Sequence, residues 1–260
     1  MRDTELETRI AKQLGAAKLG RPVHAFHRIN STMEAAHALA AEGAPEGALV
    51  WALQQEQGRG RQGRAWASPE GGAYFSLVLR PKRSPTEIPQ LALVAGLAAA
   101  ETLRDVACAY PAIRWPNDLL VNNKKLGGIL VEAKSGAVVI GVGINVTTEP
   151  SQLPPEAISL AMLAAGHVSR EELIAGFCQR LSHWYEEWRE EGFVPIRAAL
   201  RPWMGLFGRL VDIANGKTRF EGTAQDVDEQ GRLVVRLDSG ILRAFDMGEV
   251  TLLRQRQEVP

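Results

Sequence analysis

Continuous apolar runs, punctuated by glycine, asparagine and proline, predict an ordered series of elements along this chain. Ala48 to Gln54 and Ala73 to Leu79 read as buried strands, the second opening after the turn Ser68-Pro69-Glu70-Gly71-Gly72. Between Ser31 and about Glu42 the pattern is helical, with Ser31 and Glu34 spaced as a capping box. Thr86 to Val106 reads as one long helix, too apolar on all sides to lie on a surface. Short β segments follow at Ile113–Trp115, Leu119–Val121, Leu126–Glu132 and Ala137–Asn145, with hairpin turns at Asn122-Asn123 and Ser135-Gly136. Arg170 to Glu191 is amphipathic, keeping Leu173, Ile174, Phe177, Leu181, Trp184, Tyr185 and Trp188 at helical spacing.

The texture changes after Trp203. From Gly208 four or five short strands are separated by Asn215-Gly216, Glu229-Gln230-Gly231 and Asp238-Ser239-Gly240, the spacing of a compact small barrel. An α+β chain with a larger domain over residues 1–205 and a small β domain over 206–260 is expected, docked without a long linker.

Composition narrows the function classes. With 260 residues the chain can bury a real core, and 30 Lys+Arg balance 30 Asp+Glu. A zero formal charge argues against a surface given over to nucleic acid or acidic membrane, so any basic site is local. Cys108 and Cys178 form no CxxC pair and are expected to fill apolar space. The charged N-terminus is no signal peptide, and the Ala-rich run from Leu91 to Ala100 is too short to span a bilayer; a soluble, cytoplasmic protein is expected.

The local basic site is Gln55-Glu56-Gln57-Gly58-Arg59-Gly60-Arg61-Gln62-Gly63-Arg64-Ala65-Trp66. Glycine lets main-chain N–H groups approach an anion, and arginine offers a fixed fork of donors for carboxylate or phosphate. Residues two apart in an extended segment lie about 6.5 Å from each other. Two positive charges at that separation repel by roughly 0.6 kcal/mol in water and about 2.5 kcal/mol at an effective dielectric near 20. Such a loop is therefore ordered best by an anion. The plainer reading is a solvated basic linker, and a third is an RGG-like nucleic-acid segment, though those are usually longer.

A second constellation, Arg114-Trp115-Pro116-Asn117-Asp118, precedes Lys125-Leu126-Gly127-Gly128-Ile129-Leu130-Val131-Glu132, and Gly141-Val142-Gly143-Ile144-Asn145 follows. Taken singly, Lys125 is a surface lysine and Asp118 a turn residue or cap. The two glycines of the last run are no dinucleotide fingerprint, since a third glycine and a following helix are missing.

In this order the motifs resemble the biotin–protein ligases, over roughly residues 25 to 255. The resemblance implies a mixed-sheet biotin/lipoate-ligase-type catalytic domain with an SH3-like C-terminal domain. It implies that biotin and ATP, with Mg²⁺, are converted to biotinyl-5′-adenylate, and that biotin then passes to one lysine of a biotin carboxyl carrier protein of acetyl-CoA carboxylase or another biotin-dependent carboxylase. Carried over residue by residue, Ser31, Thr32, Gln55, Arg59, Gly60, Arg61, Lys125 and Gly128 fall where biotin is held. Arg61, Arg64, Trp66, Asn117, Lys125 and Asn145 fall where the nucleotide is held. Lys125, Asp118 and Arg61 fall on the catalytic positions, Asp118 tied to metal or to the acceptor lysine. Two positions depart from the family pattern: Met33 stands where asparagine is common and Arg114 where lysine is common.

Thirty residues precede Ser31, about half of what a three-helix DNA-binding module needs, so a single-function ligase without operator binding is expected. An exposed β edge could pair two subunits into a homodimer or dock the carrier. The rivals are a lipoate or octanoate transferase of the same fold, a nucleic-acid module built on the Gly-Arg loop, and a scaffold built on the small barrel. Gln55 with the Ser31-Thr32 pair favours a ureido ring over an acyl tail.

Overall fold

The computed structural model describes residues 2–163, 168–246 and 249–253. The elements are α1 (Thr4–Gln13), β1 (Val23–Ile29), α2 (Thr32–Ala41), β2 (Leu49–Gln55), β3 (Gly72–Leu79), α3 (Leu91–Ala107), β4 (Ala112–Arg114), β5 (Asp118–Val121), β6 (Lys124–Lys134), β7 (Ala137–Asn145), α4 (Arg170–Glu191) and α5 (Phe193–Leu200). A second group follows: β8 (Leu210–Asn215), β9 (Thr218–Val227), β10 (Leu233–Leu237), β11 (Leu242–Phe245) and β12 (Glu249–Leu252).

The first seven strands form one mixed sheet in the order β1-β2-β3-β7-β6-β5-β4, with β1 and β2 parallel and the remaining neighbours antiparallel. Its central strands are buried on both faces, which explains why they read as continuous apolar runs. The period of two still sorts their side chains. Trp51, Phe75, Leu77, Ile140 and Val142 face a large core that also holds α3 and α4. Val50, Val78 and Val139 face a smaller cluster with Met33, Ala36 and Ala40 of α2. Burying each such Val, Leu or Phe is worth roughly 1.5–3 kcal/mol.

On that second face, apolar packing stops where glycine begins. Gly141 and Gly143 of β7 share the face of Val139, and Gly128 of β6 pairs with Gly143. A β-carbon on Gly141 would stand 2.5 Å from Met33 Sδ, and one on Gly143 would stand 2.6 Å from Trp66 Nε1. The bare strand backbone there is the floor of the cleft described below.

Several expectations hold, including the Asn122-Asn123 and Ser135-Gly136 hairpins, whose four residues all have positive φ. Others need correction. The predicted helix Thr86–Val106 is broken: Pro85–Gln90 is a 3-10 segment containing Pro89, and the α-helix starts at Leu91. Ser31 is the N-cap of α2, yet makes no capping bond, and Glu34 stays exposed in solvent. Cys178 is buried, and burial pushes its thiol up to about 12, but Cys108 is exposed at the left-handed C-cap of α3. The C-terminal strands pair in the open order β11-β10-β9-β8-β12, with no closing pair between the two edge strands among the described residues. The last seven positions of the predicted 206–260 unit lie outside the described residues.

Residues 4–13 were legible only as a charged stretch, but they form α1. Asp3 caps it through the N–H groups of Glu5 and Leu6, and Leu6 and Ile10 are buried in the main core.

The second sheet docks on the first unit through specific bonds. Trp115 Nε1 donates to the Gly231 carbonyl at 3.0 Å, and Gln90 Nε2 to that of Glu229 at 3.3 Å. Asp226 of β9 accepts from Arg197 of α5 at 2.7 Å and from Arg201 at 3.0 Å.

Candidate active site

A cleft of about 230 Å³ opens over Gly128, Gly141 and Gly143, beside the N-terminus of α2 and under the Gly-Arg loop. Among the described residues, Arg59, Arg61, Arg64, Arg114 and Lys125 reach its wall against a single lining carboxylate, Asp118. A chain of zero formal charge thus concentrates positive charge in one concave place, where the field draws in anions.

The two ends of the cleft differ. At one end Thr32 and Gln55 supply neutral polar groups: Gln55 Oε1 accepts from Thr32 N at 2.8 Å and from Thr32 Oγ1 at 3.0 Å. Ser31, next to them, is buried, and its hydroxyl has no hydrogen-bond partner among the described residues. At the other end Asp118 is gripped from two sides, Oδ1 lying 2.6 Å from Lys125 Nζ and Oδ2 2.6 Å from the Arg114 guanidinium. Arg61 reaches across from the loop, donating to Asn117 Oδ1 at 3.2 Å, while Asn117 Nδ2 donates to the Ile129 carbonyl at 2.7 Å. Burial lowers the pKa of Arg61, opposed by the charge of Asp118 and reinforced by that of Arg64; a guanidinium stays protonated all the same.

Trp66 forms the roof. Its indole lies close over the positions of Gly143 and Gly128, and Lys125 Nζ stands 5.1 Å from the ring centroid, within cation–π reach. Gly58 permits the chain to fold back there, since a β-carbon would come within 2.4 Å of Ser68 Oγ and of the Trp66 carbonyl.

Of the residues singled out from the sequence, Thr32, Gln55, Arg59, Gly60, Arg61, Arg64, Trp66, Asn117, Asp118, Lys125 and Gly128 line one cleft. Ser31 and Asn145 stand beside it. Asn145 is buried, its Nδ2 donating to the Ile158 carbonyl at 3.0 Å and approaching that of Lys125 at 3.5 Å. The two departures are both on the wall, Met33 at the polar end and Arg114 at the charged end. Sequence reasoning missed Val250 and Thr251, which bring the second sheet to the cleft. It also missed Glu132, which accepts from Arg59 at 3.1 Å and lies 3.2 Å from His37 Nε2. No local signal marks any of these, because each depends on elements far apart in the chain.

The families whose patterns match this mixed sheet and the smaller β unit against it are protein ligases. The pattern of the Biotin/lipoate A/B protein ligase family matches residues 25–148, and that of the biotin protein ligase C terminal domain matches residues 207–253. The chain is 35% identical over 227 residues to the bifunctional ligase/repressor BirA of Bacillus subtilis, covering 84% of this chain and 70% of that protein. It is 32% identical over 251 residues to a biotin–[acetyl-CoA-carboxylase] ligase of Mycobacterium tuberculosis, covering 93% and 92%. The structure of a biotin protein ligase from Aquifex aeolicus in complex with biotin and ATP superposes with a TM-score of 0.79 at 28% identity, over 90% of this chain and all of that one. The chain belongs to the biotin protein ligase family.

Proposed function

We infer that the chain is an ATP-dependent biotin–protein ligase. A biotin carboxylate oxygen attacks the α-phosphorus of ATP, the bond to the β-phosphate oxygen breaks, and pyrophosphate leaves. The carrier lysine amine then attacks the acyl carbon of biotinyl-5′-AMP, and AMP departs. The observation that carries this reading is the division of the cleft. A neutral hydrogen-bonding end at Thr32 and Gln55, next to the unbonded Ser31 hydroxyl, suits a cyclic urea, and a cationic end at Lys125, Arg61 and Arg114 suits a carboxylate meeting a polyphosphate.

Lys125 and Arg61 neutralise charge that builds on the α-phosphate and the leaving group, and the cleft aligns the two substrates in line. Lys125 is pre-aimed by Asp118 and held over Trp66, and substrate oxygens displace the carboxylate as its partner. Asp118, held by Arg114 and released by Lys125 when substrate binds, serves in the second step by orienting the incoming amine. The Gly-Arg loop and Trp66 shield the mixed anhydride from water. Arg64 and Asn117 are assigned to the nucleotide end, and Arg59, Gly60 and Gly128 to the biotin end. Asn145 is assigned to that nucleotide end through the Lys125 backbone it approaches.

Magnesium fits this site as an ion that travels with the nucleotide. Among the described residues no group of three His, Cys, Asp or Glu could hold a metal, and Asp118 alone offers a carboxylate on the cleft wall. Mg²⁺ is commonly held by one or two carboxylates plus substrate phosphates while keeping several waters. Bound there, it would offset negative charge on the phosphates.

The acceptor is a biotin carrier domain; we place it on the biotin carboxyl carrier protein of acetyl-CoA carboxylase. Among the described residues no helix is long and apolar enough to cross a membrane. The deciding test is incubation with biotin, ATP and Mg²⁺, followed by mass detection of biotinyl-5′-AMP. Adenylate formed from lipoate or octanoate instead would reject the reading.

A further inference from the structure

Behind the polar end of the cleft runs a chain of hydrogen bonds with a single direction. Ser76 Oγ donates to Thr32 Oγ1 at 2.8 Å, Thr32 Oγ1 donates to Gln55 Oε1 at 3.0 Å, Gln55 Nε2 donates to Ser68 Oγ at 2.8 Å, and Ser68 Oγ donates to the Trp66 carbonyl at 3.1 Å. Thr32 and Gln55 are on the wall; Ser76 and Ser68 are buried behind it and are not among the lining residues. The chain joins β3, the N-terminus of α2, the end of β2 and the segment carrying the roof tryptophan.

The direction follows from the groups themselves. The Thr32 N–H can only donate, so the amide of Gln55 must turn its oxygen toward Thr32. Its nitrogen then points to Ser68, and a flipped amide would set two donors against each other. With its proton committed to Gln55 and one lone pair taken by Ser76, Thr32 Oγ1 presents only an acceptor to the cleft. Gln55 presents only its second N–H.

We propose that Ser68 and Ser76 are positioning residues for ligand recognition, holding Gln55 as a fixed donor and Thr32 as a fixed acceptor toward the ligand. A wall of one donor beside one acceptor complements a group carrying both C=O and N–H, as a cyclic urea does. It gains nothing from a dithiolane or an alkyl tail. Linked bonds of this kind reinforce one another in a dry interior. Because the chain ends on the Trp66 carbonyl, the same hydroxyls tie the ureido end to the roof. This inference rests on the proposed biotin ligase function.

Biotin-dependent exchange of pyrophosphate into ATP tests it. Ser68→Ala is expected to raise KM for biotin at least tenfold, with KM for ATP and kcat at saturating biotin within twofold of wild type. Gln55→Ala raises the same KM, and in that background Ser68→Ala adds less than twofold, since its effect passes through Gln55. Independent, multiplicative effects would overturn the proposal, as would parallel rises in both KM values. Ser76→Ala, alone and in a Thr32→Val background, gives the same comparison from the other end of the chain and serves if Ser68→Ala does not fold. Wild-type exchange driven by lipoate but not by biotin would reject the function itself, a failure visible before any variant is made.

Discussion

Lys125 Nζ lies 2.6 Å from Asp118 Oδ1, and the two residues come from neighbouring antiparallel strands whose pairing shifts register between Leu119 and Leu120. That irregularity lies between the paired positions of the two residues. The backbone of Lys125 is pinned as well, its N–H donating to the Glu156 carbonyl at 2.8 Å and its carbonyl accepting from Ile158 N at 3.0 Å. The amine is thus fixed from both ends of the residue before any substrate arrives.

Lys125→Ala is expected to slow adenylate formation by at least 100-fold, on the order of 3 kcal/mol of transition-state stabilisation. The lysine is partly exposed and its strand is held by main-chain bonds, so the melting temperature should move little. Pyrophosphate release measured on the variant checks this, and a near-normal rate would remove Lys125 from the catalytic step.

Arg61 ties the Gly-Arg loop to the Trp-Pro-Asn-Asp turn through Asn117. Arg61→Gly removes that tie and a cation of the cleft wall assigned above to the phosphate. The adenylate should then escape, and lysines of bystander proteins should become biotinylated in proportion to their concentration. A half-life of the bound intermediate equal to that of wild type would reject the role.

Gly143 tests the floor. A β-carbon there would meet the Trp66 indole at 2.6 Å and 2.8 Å, so the ring must move or the strand must give. Gly143→Ala is expected to cost about 1–3 kcal/mol by overpacking and to raise KM for ATP roughly tenfold. In a Trp66→Ala background the same substitution should cost almost no stability. An equal loss of melting temperature in both backgrounds would mean that the clash lies elsewhere.

The parts of this protein that could be read from its sequence are those with local signals. Asn122-Asn123 and Ser135-Gly136 announced their turns because both residues of each turn have positive φ. The Gly-Arg loop was legible because its spacing is itself the chemistry. The helix α1 was not, since only Leu6 and Ile10 of its ten residues are buried. Ser68 and Ser76 looked like ordinary turn and strand serines, and their importance exists only through Gln55 and Thr32. Pro89 stands inside an apolar period that runs on across it, so periodicity alone does not mark the change from 3-10 to α-helix at Leu91. Cys108 is exposed where a cysteine is expected inside, because composition reports on residue type, whereas exposure depends on where α3 ends.

The second sheet supplies a prediction in pH. Burial alone would raise the Asp226 carboxyl, but the hydrogen bond from Arg197, the Val227 N–H at 2.9 Å, and the charges of Arg197 and Arg201 outweigh it and hold it below its usual range. A depressed carboxylate stabilises the fold fully above its unfolded value, about 3.9, and loses that contribution as pH falls through its folded value. The arginines are 39% and 62% exposed, so screening keeps the gain to about 1 kcal/mol. Asp226→Asn should therefore be less stable than wild type by about that amount near pH 7, with the two converging as pH falls through the depressed folded value of the carboxyl. The same contact helps seat the loop whose Gly231 carbonyl holds Trp115, three residues before Asp118, so the variant should also raise KM for ATP modestly at neutral pH. Denaturant melts of both proteins at pH 7 and at a series of values below the unfolded value decide the matter: a difference that does not shrink as the pH falls would show that the ion pair does not seat the second sheet.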